Sequence, residues 1–196
     1  MASSFIHINE IGFWAKDGFV EAMQLCLINE IENSGLENEN RWLTDYKIEL
    51  ALQSLPMIFG GMSMALEEFL INNERKKIIL NFINEITIKI NKESNYLTGN
   101  QMYSFRKRAM EILRQTKKVD YKNEKEFNKY VNDSRWKESS IHEVKEYYSH
   151  SFKLLKLLIN DEIRTTASST MDYWNCLLYT SPSPRDATLS RMPSSA

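Results

Sequence analysis

Cysteine, glycine and proline are all scarce in this chain, which has two, six and four of them among 196 residues. Cys176 lies in a C-terminal stretch, 176–196, whose composition differs from everything before it. Without that stretch only Cys26 remains, and one thiol excludes an internal disulfide and a cysteine metal cage. Such cysteine usage suits a reducing cytosol, so a cytoplasmic protein is expected. Six glycines leave little material for a phosphate-cradling loop. His-Glu-x-x-His, Gly-x-Ser-x-Gly and Asp-rich calcium loops are missing too. No catalytic residue and no cofactor is therefore expected, and an enzyme would have to work without a local motif. No apolar run approaches the roughly 18–20 residues of a membrane span. The opening "MASSFIHINEIGFW" has no basic region followed by a long apolar core, so no secretory signal is expected either.

What is present favours a folded globule, with 42% hydrophobic and 11% aromatic residues. The length suits a single domain with a substantial core. "SFIHI" and "FWAK", separated by "NEIG", read as a short N-terminal strand or hairpin. Asp17 is a candidate helix N-cap. Phe19, Met23, Cys26, Leu27 and Ile31 then recur at helical spacing up to Gly35. Leu43, Tyr46, Leu50, Ala51 and Ser54 form a second stripe before Pro56, and "MSMALEEFLINN" a short helix. Ile79, Phe82, Ile83, Ile86 and Ile90 give a third stripe. Met102, Phe105, Ala109, Ile112 and Leu113 give a fourth, behind a Thr98–Gln101 capping box. Asn123 with Glu126, and Ser140 with Glu143, signal two more helix starts. The longest stripe runs through Ile141, Val144, Tyr148, Phe152, Leu155, Leu158 and Ile159. The expected fold is all-α, a single-domain bundle of about six helices over residues 1–175.

The terminal stretch "CLLYTSPSPRDATLSRMPSSA" holds three of the four prolines (Pro182, Pro184, Pro193) and no Lys, Asn or Ile. Cys176–Asp186 resembles a translated transposase-type sequencing-adapter end. Ser190–Ala196 resembles the platform sequence that follows a sample index, and Ala187–Leu189 fall where the variable index is read. The resemblance implies that 176–196 is an artefactual, disordered tail. It also implies that residues 1–175 are the biological sequence, truncated before the natural stop.

The formal charge of −1 conceals an asymmetry. Residues 1–74 carry twelve acidic side chains against three basic ones, and residues 75–175 carry twenty basic against thirteen acidic. Either the halves attract each other within one domain, or they form opposed surfaces. Glu30, Glu32, Glu37 and Glu39 surround the polar loop "NEIENSGLENEN", flanked by Trp14 and Trp42. An exposed aromatic beside acids is a typical anchor for a basic protein partner. The opposite patch is Arg106, Lys107, Arg108, Arg114, Lys117 and Lys118, on the expected helix 99–118. It is a candidate for phosphate contact; a solvated helix face is the plainer alternative, and no nucleic-acid recognition module is legible. His142, Glu146 and His150 share one helix face, but the outer pair is two turns, roughly 12 Å, apart. At most two neighbours could chelate a metal ion, so a polar flank is the expected role. Cys26, among apolar neighbours, is expected to be a buried structural thiol.

Residues 1–160 resemble, in general style, small helical proteins of bacterial genomes, some of which neutralise toxins as immunity proteins. "INEIGFWAKDGF", an acidic helical half and then further helices carry the likeness. It implies a bacterial binding protein and assigns no functional residue. A non-catalytic binding protein using the acidic N-terminal half is thus the first expectation. A nucleic-acid-associated helical protein comes second, and a motif-free enzyme third.

Overall fold

The structure, a computed structural model, describes residues 3–55, 61–93, 96–120, 123–132 and 145–167. The Ser140–Glu143 box, Ile141, His142, Val144 and the 176–196 tail lie outside these residues. The chain folds as a mainly helical protein with one small hairpin, as its periodicities imply. Strands β1 (Ser3–Ile8) and β2 (Ile11–Lys16) pair antiparallel. They lead into α1 (Asp17–Ser34), a 3₁₀ turn (Leu36–Asn38) and α2 (Arg41–Gln53). A single-turn α3 (Leu66–Phe69) precedes α4 (Asn73–Lys92), α5 (Gly99–Gln115), α6 (Glu124–Asn132) and α7 (Lys145–Ile159).

Helix α1 is the central post, packed by α2, α4, α5, α7 and both strands. Its sequence reads as one apolar stripe, yet Ala22, Leu25 and Ile28 are buried as well as Met23, Cys26, Leu27 and Ile31. A helix that is buried all round must bury its polar residues too. Asp17, Glu21, Gln24 and Glu30 are indeed inside. This changes the part assigned to Asp17. It is the first residue of α1 rather than its cap, and the cap position, Lys16, makes no side-chain cap bond. The Asp17 carboxylate instead accepts from Ser4 Oγ at 2.7 Å, while Ser4 Oγ accepts from the Met62 N–H at 3.1 Å. The residue thus ties the hairpin to α1 and to the chain after α2. Gly35 ends α1 in the left-handed conformation at φ 65°, where a Cβ would be strained.

The other helices follow their stripes. Ile79, Phe82, Ile83, Ile86 and Ile90 are the buried residues of α4. Leu43, Tyr46, Leu50, Ala51 and Ser54 are buried along and just beyond α2, and Tyr148, Phe152, Leu155, Leu158 and Ile159 on α7. Phe82, Ile86, Ile112, Phe152 and Leu155 share one core, with the half-buried Phe105 packed against it. At the start of α5, Thr98 Oγ1 accepts from the Gln101 N–H at 3.4 Å. The Gln101 side chain reaches back, accepting from the N–H of Leu97, one residue before the cap, at 3.0 Å. Asn123 caps α6 by accepting from the Glu126 N–H at 2.9 Å. No helix among the described residues is long and apolar enough to cross a membrane.

Candidate binding surface

The acidic edge is largely neutralised by the chain itself. Glu30 is buried, with Lys89 Nζ 2.6 Å away on α4. Arg108 on α5 grips Glu32 with two bonds, of 2.8 and 3.0 Å. Lys47 Nζ lies 3.3 Å from Glu32 and 2.6 Å from Glu37. Two of the four glutamates are thus matched by cations of the basic half, and a third by Lys47 of their own half. Glu39 stands exposed. The tryptophans have other partners. Trp42 is half-buried under the Arg75 guanidinium, 4.9 Å from its ring centroid. Trp14, on β2, is half-buried and donates from Nε1 to the Ala167 carbonyl at 2.8 Å.

The basic patch disperses in the same way. Arg106 is 1% exposed and bonds the equally buried Glu21 on α1. Arg108 is held by Glu32, whose carboxylate raises its pKa above the ordinary value. Arg114 lies 2.6 Å from Glu111 and 3.2 Å from Glu124, with its guanidinium over the Phe127 ring at 4.7 Å. Only Lys107, Lys117 and Lys118 of the six are exposed without a carboxylate partner among the described residues. Arg106 on the core stripe was not legible from periodicity alone, because its partner lies 85 residues away. Of the possible metal ligands, His142 lies outside the described residues, Glu146 is placed only as a residue of α7, and His150 is exposed. The described residues contain no group of three or more acidic, His or Cys side chains that could hold a metal ion. Cys26 is fully buried, as expected, and burial pushes its thiol up to about 12. At neutral pH it is a thiol, not a nucleophilic thiolate.

The outward face of the hairpin carries a group of aromatic and polar side chains. Cross-strand pairs Phe5–Trp14 and His7–Gly12 set the register. Ser4, Ile6, Phe13 and Ala15 point inward and are buried, which by strand alternation turns Phe5, His7 and Trp14 outward. Phe5 stacks on His7 with ring centroids 5.5 Å apart and meets Trp14 at 5.4 Å. The turn residues Asn9 and Glu10 adopt φ 49° and 65°, which presents Glu10 to solvent. Glu67 on α3 accepts from the Asn9 N–H and lies 3.3 Å from His7 Nδ1. Beyond β2 the chain returns as a short third edge. The Gly12 N–H donates to the Thr165 carbonyl at 2.8 Å and Thr165 Oγ1 to the Gly12 carbonyl at 2.6 Å. Phe5, His7, Glu10, Thr166 and Ala167 line an open depression of about 410 Å³. Trp14 alone of this group is legible as a binding residue. The missed signal is that "FIHI" and "GFWA" are apolar on both faces of a two-stranded hairpin, which has only one side to bury. No family model, curated protein or solved structure matches the chain.

Proposed function

We propose that this chain is a non-catalytic binding protein of the bacterial cytosol. It uses its acidic N-terminal half to hold a basic protein partner, in the manner of an immunity protein. The contact surface is the outward face of the β1–β2 hairpin. The observation that carries this reading is an aromatic group, Phe5, His7 and Trp14, left half-exposed beside Glu10 and Glu67. Rigid aromatic anchors supply contact area at little entropic cost, and carboxylates at their rim steer a basic partner. The acidic edge at Glu32 and Glu37 serves folding first, since Lys47 and Arg108 already answer it. Three arginines of α5 are likewise engaged with carboxylates, which weighs against nucleic acid as the partner.

The test is co-expression with the product of the neighbouring gene. A partner retained at low salt, released at high salt and lost with Phe5→Ala/Trp14→Ala supports the reading. Retention of every partner by that variant, with an unchanged circular dichroism spectrum, overturns it.

A further inference from the structure

Resting on that reading, we propose that the hairpin depression is a receptor for an arginine side chain of the partner. The chain itself shows the chemistry. Arg114 lies with its guanidinium 4.7 Å from the Phe127 ring centroid and within 2.6 and 3.2 Å of two carboxylates, those of Glu111 and Glu124. Arg75 lies 4.9 Å from the Trp42 ring centroid. Both internal examples use arginine, whose planar, weakly hydrated cation stacks on an aromatic face and forks onto a carboxylate.

The outer hairpin face repeats these components and lacks only the cation. Phe5 and Trp14 provide the rings, 5.4 Å apart. Glu67 and Glu10 provide carboxylates on the turn side of Phe5. Glu67 Oε1 is occupied by the Asn9 N–H and faces His7, while its Oε2 has no hydrogen-bond partner among the described residues. That oxygen is the one an incoming guanidinium would bond. His7 stacks on Phe5 and fixes the floor. Thr166 and Ala167 close the far wall, held by the Thr165–Gly12 bonds and the Trp14–Ala167 bond. Two cations of the described residues lie along the strands, Lys16 at the far end of the pair and Arg164 next to Thr165. Lys16 is opposite Ser3, one outward pair beyond Trp14, and Arg164 bonds the Ile163 carbonyl. Neither bonds Glu10 or Glu67 among the described residues.

The experiment is a two-dimensional NMR titration of the full chain with two capped hexapeptides, identical except for one central arginine or lysine. The Trp14 indole N–H is assigned with Trp14→Phe, and the Asn9 amide serves as a second reporter. Saturable shifts at both reporters are expected, with arginine bound at least about 5-fold tighter than lysine because it alone can stack and fork. Glu67→Gln and Glu10→Gln should each weaken the arginine peptide, Glu67→Gln by about 10-fold. Glu10→Gln changes an exposed turn side chain, so it reports even where Glu67→Gln loosens the hairpin. Shifts of equal strength for the two peptides, or none at several-fold molar excess, overturn the proposal. So does a depression filled by the chain's own continuation, revealed when Trp174→Ala alone moves the Trp14 indole resonance. If the arginine preference fails while Phe5→Ala/Trp14→Ala still loses the co-expressed partner, the binding reading stands without this ligand. If that partner too is indifferent to the hairpin, both fall.

Discussion

Replacing Arg106 by methionine isolates the interior charge pairing on which the packing of α5 against α1 depends. The aliphatic length is kept and the guanidinium is removed. Arg106 and Glu21 are each 1% exposed, so the carboxylate left behind cannot be rescued by water. Breaking a buried ion pair at one partner costs about 3–5 kcal/mol, chiefly because the stranded charge stays desolvated. For a domain with about 5–15 kcal/mol in total, that is roughly a fifth of the margin or more. Urea denaturation followed by helical circular dichroism reads it directly, and thermal unfolding should fall by about 10 °C or more. Glu21→Leu should cost a similar amount. The double variant Glu21→Leu/Arg106→Met should lose far less than the sum, with a coupling of at least about 2 kcal/mol. Additive losses, or single losses under about 1 kcal/mol, would show that Glu21 and Arg106 do not hold α1 and α5 as described.

Gly12→Ala should unfold or displace the hairpin, because a Cβ there would collide with the Ile6 carbonyl oxygen and stand 2.8 Å from His7 Cα. A structure of Gly12→Ala with an intact β1–β2 register would contradict this. Gln24 is fully buried on α1, and neither amide atom has a hydrogen-bond partner among the described residues. Gln24→Met, close in shape, should therefore stabilise the protein by about 1 kcal/mol; an equal loss in chemical denaturation would reveal a partner for the amide. Burial raises the pKa of Cys26 from 9.0 to about 12, and raises those of Tyr46, Tyr96 and Tyr148 as well. These groups stay protonated in the native chain while the unfolded chain releases its protons, so their contribution is intact below pH 9 and stability falls as pH rises towards 12. A flat stability profile from pH 8 to 11.5 would refute the burial of these four groups.

The stripes of α2, α4 and α7 were readable because each helix buries one face, and a 3.6-residue period records one face. The same reading misjudged α1, where periodicity separates inside from outside and this helix has little outside. Arg106 illustrates a second limit. It falls beside Met102, Ala109 and Leu113 on α5, but a charge joins a core only when a distant carboxylate meets it, and nothing local names Glu21. The hairpin was legible from "NEIG" and its flanking apolar residues. Its third edge at Thr165–Ala167 was not, since the bonds to Gly12 and Trp14 span about 150 residues. Trp14 was singled out for the right chemical type and placed beside the wrong acids. Those on the hairpin's outer face come from the turn and from α3, beside Phe5 and His7, while Glu30, Glu32 and Glu37 turn to Lys89, Arg108 and Lys47.

The measurement that bears most directly on this division of labour is calorimetric titration of one purified partner into three chains. These are the unmodified protein, Phe5→Ala/Trp14→Ala, and Glu32→Gln/Glu37→Gln/Glu39→Gln. The account predicts that the aromatic pair carries the affinity, with a loss of about 100-fold or more for the first variant. It predicts less than about 5-fold for the glutamine variant, whose cost should appear instead in stability, because the buried Lys47 loses both its carboxylate partners. The reverse pattern, with binding lost on the glutamine variant and kept by Phe5→Ala/Trp14→Ala, would return the partner surface to the acidic edge and contradict the account.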